Sequence, residues 1–429
     1  MKLKGYSIRR ESIKLIEIQK FSEAEFKNFV EKSKWTQFNH HTAKNKFYRD
    51  FIGNKQILNW SDIPVLTKGD LQKPIKEILT QGVTGSNVFR NNTSGSSGTP
   101  FYFAKDKSNH ARTWALILNR YARHGIEYGK SLQARFYGIP LTGIKYYKEK
   151  LKDYFSARVR FPIFDLSDEK LNQFTEVFKK RKFEYINGYT SSLVLYASYL
   201  IDKNIVLKDI CPSLKVCFPT SEMCSRFDRL ILEKGFGVKV VNEYGCAEMD
   251  VLAFEDENFD WIMSNENVYF EILDESGEIL PEGSEGRLII TSLFNKAMPF
   301  IRYELGDIAS LKGYKNNHTI LQNLIGRTNE FAILPDGRKV PALTFYYITK
   351  TLIQEKFKIK EFVIKQTSIY DFVFEYVAED ILEEHVTAKI QLAMDEYLAP
   401  GLKSHFIRMS SIQRTKSGKF KQFYNLVNN

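Results

Sequence analysis

Over most of the first ninety residues, apolar positions recur with a helical period, which predicts helices with basic and aromatic faces. They break at Ile63-Pro64 and resume as a helix over 68–79. At Asn92 the pattern gives way to a small-residue loop, TSGSSGTPFYFAKD, followed by a helix over 108–123 with Trp114, Ile117 and Leu118 on one side. From 131 to 338 short apolar runs (132–138, 185–188, 214–219, 238–244) alternate with amphipathic helical stretches near 169–182, 192–202 and 226–234. That alternation predicts a largely parallel α/β sheet. Residues 269–273 and 287–291 read as antiparallel strands joined through DESGEILPEGSEG, whose Gly277, Gly283 and Gly286 supply turns, so a small β layer follows the α/β core. Beyond Arg338 come strands over 361–365 and 372–377, an amphipathic helix over 381–397 and a strand over 405–409. They form an α+β appendage of about a hundred residues.

The chain has 429 residues, which at roughly 150 per domain makes two or three domains. With 43% apolar and 26% charged residues it is not a disordered chain. No apolar run approaches the roughly 20 residues needed to cross a bilayer, and the opening MKLKGYSIRRESIKLIEIQKF has no signal-peptide core, so a soluble, cytoplasmic protein is expected. The net charge of +11 favours anionic ligands, yet the basic residues are spread among acidic ones. The exception is 401–429, where Lys403, Arg408, Arg414, Lys416, Lys419 and Lys421 stand without a carboxylate side chain. Such a run is either solvated or meets phosphate. Cys211, Cys217, Cys224 and Cys246 cluster as a zinc site's ligands would, but no CxxC pair occurs and no histidine lies between His124 and His318. Buried or incidental thiols are the better reading.

The segment Thr93-Ser94-Gly95-Ser96-Ser97-Gly98-Thr99-Pro100 carries the most chemistry. Its glycines let backbone N–H groups turn toward a ligand and its hydroxyls donate to phosphate oxygens, although the same composition serves as a flexible linker. It resembles the phosphate-binding signature of the adenylate-forming superfamily, and further motifs of that family follow in order. Asn242-Glu243-Tyr244-Gly245-Cys246-Ala247-Glu248 is similar to YGxxE, Arg302-Tyr303-Glu304-Leu305-Gly306-Asp307 to RYxxGD, and Ile325-Gly326-Arg327-Thr328-Asn329-Glu330 to the GRxDD hinge. Arg414-Thr415-Lys416-Ser417-Gly418-Lys419 is similar to the C-terminal RTxSGK loop. Ile63-Pro64-Val65-Leu66-Thr67-Lys68 and Gly188-Tyr189-Thr190-Ser191 resemble segments of the compact phenylacetate-CoA ligase branch, which has relatives in capsular-polysaccharide gene clusters.

The resemblance implies a large N-terminal adenylation domain over 1–330 and a small mobile α+β lid domain over 331–429. It implies that Thr93, Ser94, Gly95, Ser96, Ser97, Gly98 and Thr99 hold the outer phosphates of ATP, that Glu248 helps hold Mg²⁺, and that Asp307 accepts both ribose hydroxyls. Tyr244, beside Gly245, would pack on the adenine with Thr220-Ser221-Glu222 on its other side, and Arg327 would reach the ribose or phosphate. Lys419 would be the cation bridging the carboxylate and the α-phosphate, with Glu330 as the hinge acid. Taken singly, Glu248 and Asp307 also read as surface acids, Tyr244 as a core ring and Lys419 as one solvated lysine; the ordered set carries the assignment. Phe136, Tyr137, Tyr189 and Phe218 are candidate walls of an acyl pocket or simply core, and no fixed cation for a second substrate charge is evident.

Departures from the family pattern bear on substrate and acceptor. Ala247 stands where Ser or Thr is usual, Thr220-Ser221-Glu222 where a Gly-containing segment is usual, and the Cys/His zinc pattern of some relatives is absent. The expected activity is ATP-dependent activation of a small carboxylic acid, then transfer to a thiol of CoA or carrier-protein phosphopantetheine. The alternatives are transfer to an amine in surface-polysaccharide assembly, or a nucleotide-binding relative without catalysis. No nucleic-acid partner and no membrane span are expected.

Overall fold

The computed structural model describes residues 6–85, 87–92, 102–137, 144–327, 331–341, 344–345, 348–349, 359–378, 380–414 and 421–427. The chain opens with helices α1 (Ile8–Ile18), α2 (Glu23–Lys44) and α3 (Lys46–Ile52). Ser22 and Glu25 close a reciprocal cap at the start of α2. The helix expected over 68–79 shortens to one turn, α4 (Ile75–Ile78), because Pro74 precedes it and the Asp70 carboxylate instead accepts from the Thr67 backbone N–H (2.8 Å) and hydroxyl (2.6 Å). Strands β1 (Val88–Asn92) and β2 (Tyr102–Asp106) pair antiparallel, and Asp106 then caps α5 (Lys107–Ala122) by accepting from the Asn109 N–H at 2.9 Å.

The alternation that follows builds β3 (Gln133–Phe136), α6 (Ile144–Phe155), β4 (Arg158–Phe161), α7 (Asp168–Lys180), β5 (Tyr185–Tyr189), α8 (Thr190–Asp202), α9 (Leu207–Ile210), β6 (Val216–Thr220), α10 (Arg226–Phe236) and β7 (Lys239–Val240). The strands form one parallel sheet in the order β4-β3-β5-β6-β7. Every residue of β5 and β6 is buried, as expected of a parallel sheet covered on both faces. One face packs Ala134, Phe136, Phe161, Phe174 and Tyr196, and the other packs Tyr185 and Phe218 against Tyr121 and Phe254.

The apolar run over 238–244 divides between two sheets. Val240 ends the first; at Asn242 the backbone N–H and side-chain amide both bind the Glu255 carboxylate (2.7 and 3.1 Å), which Arg229 also clamps at 2.6 Å, so the chain turns toward a new partner. The β layer expected after the α/β core is a seven-stranded sheet: β8 (Glu243–Cys246), β9 (Asp250–Glu255), β10 (Trp261–Met263), β11 (Val268–Leu273), β12 (Gly286–Ser292), β13 (Tyr303–Lys315) and β14 (His318–Arg327). Its order is β11-β12-β13-β14-β10-β9-β8, and β11 and β12 are the antiparallel pair read from the sequence.

The fold is thus mixed α/β, in two compact units: Met1–Leu305 with Ser310–Asn323, and Gly306–Ala309 with Leu324–Asn429. The second unit holds a hairpin, β15 (Phe331–Ile333) and β16 (Lys339–Pro341), and a four-stranded sheet in the order β19-β18-β17-β20. Those strands are β17 (Ile359–Gln366), β18 (Asp371–Ala378), β19 (Lys403–Arg408) and β20 (Phe423–Asn425), and helix α11 (Glu384–Tyr397) buries Val386, Ile390 and Met394 with Phe372 and Phe374. Among the described residues no helix is long and apolar enough to cross a membrane.

Candidate active site

Strands β3, β5 and β6 end in register, with Phe136 opposite Gly188, Gly188 opposite Pro219 and Tyr189 opposite Thr220. In open α/β sheets ligands bind beyond such carboxyl ends. A side chain on Gly188 would place Cβ 2.5 Å from Cβ of Phe136, so glycine is required for β3 and β5 to come this close. Tyr137 and Tyr189 follow, their rings 4.6 Å apart, and the Arg135 guanidinium lies 4.2 Å over the Tyr137 ring. Burial pushes the Tyr137 phenol up to about 12, against the pull of Arg135 and a hydrogen bond with Ser221. Ser221 sits at φ +68°. The Glu222 carboxylate accepts from the Ser191 N–H (2.8 Å) and its carbonyl from the Thr190 hydroxyl (3.2 Å), satisfying the start of α8.

The crossover from β7 into β8 adds a second wall. Glu243 accepts from the hydroxyls of Tyr121 and Thr220, each at 3.1 Å, and burial raises its pKa. Tyr244 meets the edge of Trp261, with centroids 6.4 Å apart. At Gly245 the ladder bulges, and an added Cβ would lie 1.9 Å from the Asp250 carbonyl oxygen, so no other residue fits this backbone. Glu248 is buried and one carboxylate oxygen accepts from the Tyr303 hydroxyl at 3.2 Å, joining the YGxxE stretch to the RYxxGD stretch. Asp250, at φ +62°, pairs with Lys105, a fully buried lysine on the strand that follows the Ser/Gly loop. The sequence gives no sign of that pair, whose members are 145 residues apart.

Several candidate residues serve the scaffold. Phe136 stacks on Phe161 (4.8 Å) and Phe218 packs on Tyr121 (4.4 Å); both are wholly enclosed in the two faces of the sheet, so Tyr137 and Tyr189 are the aromatic candidates that stand at the strand ends. Arg302 is buried; it donates to the carbonyls of Ser61 (2.7 Å) and Ile63 (2.6 Å), pairs with Glu271 at 3.2 Å, and so fixes the Ile63-Pro64 connection. Asp307 is buried on β13 and belongs to the Gly306–Ala309 segment of the second unit. Arg327 closes β14, but its side chain lies outside the described residues, as do the Thr93–Thr99 loop, Glu330 and Lys419. Arg135 stands beside Tyr137, one of the candidate acyl-pocket aromatics.

Among the described residues no three His, Cys, Asp or Glu side chains converge as a metal cage. A magnesium ion that travels with nucleotide phosphates needs only one or two carboxylates, and Glu248, held by Tyr303 through one oxygen, fits that requirement.

No family model matches the chain. Protein CapK of Staphylococcus aureus is 23% identical over 425 residues, covering 96% of this chain and 89% of that protein. Phenylacetate-coenzyme A ligase of Aromatoleum evansii is 35% identical over 107 residues, covering 23% of this chain and 24% of the ligase. Among solved structures, 2-hydroxyisobutyryl-CoA ligase in the postadenylation state, in complex with R3-HIB-AMP, superposes with a TM-score of 0.71 at 18% identity, covering 94% of this chain and 90% of that one.

Proposed function

The chain belongs to the adenylate-forming superfamily, in its phenylacetate-CoA ligase-like branch, and we propose that it activates a carboxylic acid with ATP and passes the acyl group to a thiol. The observation that carries this reading is the Tyr303–Glu248 hydrogen bond, which brings two separate motifs to one place. In the first half-reaction a carboxylate oxygen attacks the α-phosphorus of ATP and pyrophosphate leaves. In the second, a thiol of CoA or of carrier-protein phosphopantetheine attacks the acyl carbonyl, AMP leaves with the bonding pair, and the thiol proton passes to solvent.

Bringing two anions together and stabilising charge on phosphoryl oxygens needs fixed cations and oriented N–H groups. The Thr93–Thr99 loop would cradle the outer phosphates, Asp307 would take the ribose hydroxyls, Arg327 would reach the ribose or phosphate, and Tyr244 would pack on the adenine. Glu248 would hold Mg²⁺, which when bound offsets the phosphate charge. Lys419 would bridge the carboxylate and the α-phosphate, and its domain would turn at Glu330 between the two half-reactions.

The test is pyrophosphate release from Mg·ATP with aryl, fatty, amino and sugar-derived acids, each run with hydroxylamine, with CoA and with neither. Lys419→Ala should cut release at least a hundredfold while nucleotide binding stays within about threefold, because its cation acts mainly in the transition state. Unchanged release in that variant would remove Lys419 from the reaction; silence of the wild type across all four acid classes, with ATP bound, would overturn ligase activity.

A further inference from the structure

On the sheet face that packs Tyr185 and Phe218 against Tyr121 and Phe254, the side chains of β3 are polar. Gln133 and Arg135 on β3 lie opposite Tyr185 and Asn187 on β5, and Gln133 donates to the Asn187 side chain at 3.4 Å. Arg135 makes no hydrogen bond and no ion pair among the described residues; its Nε is shut off from solvent without a partner, its guanidinium stacks on Tyr137, and Tyr128, Tyr121 and Asp153 act on it only through space. The Tyr185 hydroxyl, opposite the preceding inward position, is likewise buried and unpaired. Glu243, the carboxylate on that side, is taken by Tyr121 and Thr220 and stands beyond ion-pair distance of Arg135.

A guanidinium nitrogen shut off from water without a hydrogen-bond partner is costly, and a planar fork with five donors matches a carboxylate in two parallel hydrogen bonds. Arg135 lies two residues inward of Tyr137, about 7 Å along the strand at roughly 3.3 Å per residue, so it meets the far end of a ligand that enters at the strand ends. We propose that Arg135, with the Tyr185 hydroxyl beside it, is the specificity determinant for an acid that carries a second anionic group distal to the carboxylate being activated. This rests on the carboxylate-activating reading of the site and adds to it the class of substrate.

Two matched pairs of acids test it: phenylacetate against 4-carboxyphenylacetate, and hexanoate against adipate. Each is measured by pyrophosphate release and, separately, by calorimetric binding to the full chain with α,β-methylene-ATP, using wild type, Arg135→Met and Arg135→Lys. The wild type should favour the diacid of at least one pair by about 10- to 100-fold, the range of one charge-assisted, bidentate contact. Arg135→Met should abolish that preference while binding the monoacid at least as well, with Arg135→Lys in between. The Met variant should melt no lower than the wild type, since it sheds a half-buried guanidinium that makes no hydrogen bond. Equal handling of mono- and diacids by the wild type, a preference that survives in Arg135→Met, or absence of binding by both diacids would each overturn the proposal. If the binding preference follows Arg135 but no acid releases pyrophosphate, the assignment stands and the ligase reading falls, so the two failures are distinct.

Discussion

Truncation of Phe136 separates scaffold from pocket. Its ring is fully enclosed, parallel to Phe161 at 4.8 Å, facing Tyr196 at 5.5 Å and meeting Phe174 edge-on at 5.8 Å. A phenyl side chain removes roughly 150–200 Å² from water, which at about 25 cal/mol per Å² is worth ~4–5 kcal/mol. The Phe136→Ala cavity has little room to collapse, because β3 is held on both sides by β4 and β5 and already touches Gly188. The cost should therefore fall at the upper part of the ~3–5 kcal/mol range for such truncations. In a unit of this size each kcal/mol lowers the melting temperature by about 2–3 °C, so a drop of ~8–15 °C is expected in a thermal melt. The KM for the activated acid should stay within about twofold when measured well below the melt. A melting temperature within ~3 °C of wild type together with a tenfold change in that KM would refute the reasoning and return Phe136 to the pocket wall.

Two further outcomes follow. Burial holds the His41 pKa at about 3, with Nε2 donating to the Asn295 carbonyl (2.9 Å) and Nδ1 accepting from Thr80 (3.3 Å). Because its unfolded value is near 6.5, the unfolded chain takes up a proton that the folded one refuses, and stability should fall by about 1–2 kcal/mol from this group between pH 6.5 and 5. Urea melts at the two pH values should show that slope flattened by this amount in His41→Gln, and an identical slope would reject it. Gly245→Ala would press a methyl group against the Asp250 backbone, which no side-chain movement relieves; a loss of ~2–4 kcal/mol with weakened nucleotide binding is expected, and an unchanged urea midpoint would disprove the bulge.

Much of the parallel sheet was legible because its signal is local. The helices α7, α8 and α10 and the strands β5 and β6 each announce themselves by periodicity within a dozen residues, and Tyr-Gly before Glu248 is legible because Gly245 is forced by its own bulge. Long strand β13 was hidden by the very motif it carries: Tyr303, Gly306 and Asp307 read as chemistry rather than as a strand. Helix α6 was missed for a different reason, since Tyr147, Leu151, Tyr154 and Phe155 lie exposed while Glu149 and Asp153 face Arg160 and Arg158, the reverse of the usual burial. Arg135 and Lys105 escaped because a single basic residue in a short strand has no period; what marks them is the neighbour that each has, or lacks, across the sheet. The same holds for Arg302, read as part of a site motif and found holding the carbonyls of Ser61 and Ile63.

That last contact bears on how the chain comes off the ribosome. The N-terminal region takes part of its support from partners made much later: His41 from Asn295, Trp60 from Glu271 at 3.0 Å, Leu66 from Arg302 and Glu304, and Phe21 from Asn317. At roughly 5–20 residues per second, some 240 residues of synthesis separate Ser61 from Arg302 by about 12–48 s. During that interval the aromatic cluster of α2 and α3, in which Phe38, Tyr48 and Ile52 pack with Trp60 and Ile63, lacks its late-made cover from Tyr269 and Ile301. Nascent chains halted before residue 302 should thus be clients of holding chaperones, and release from them should coincide with synthesis of β13.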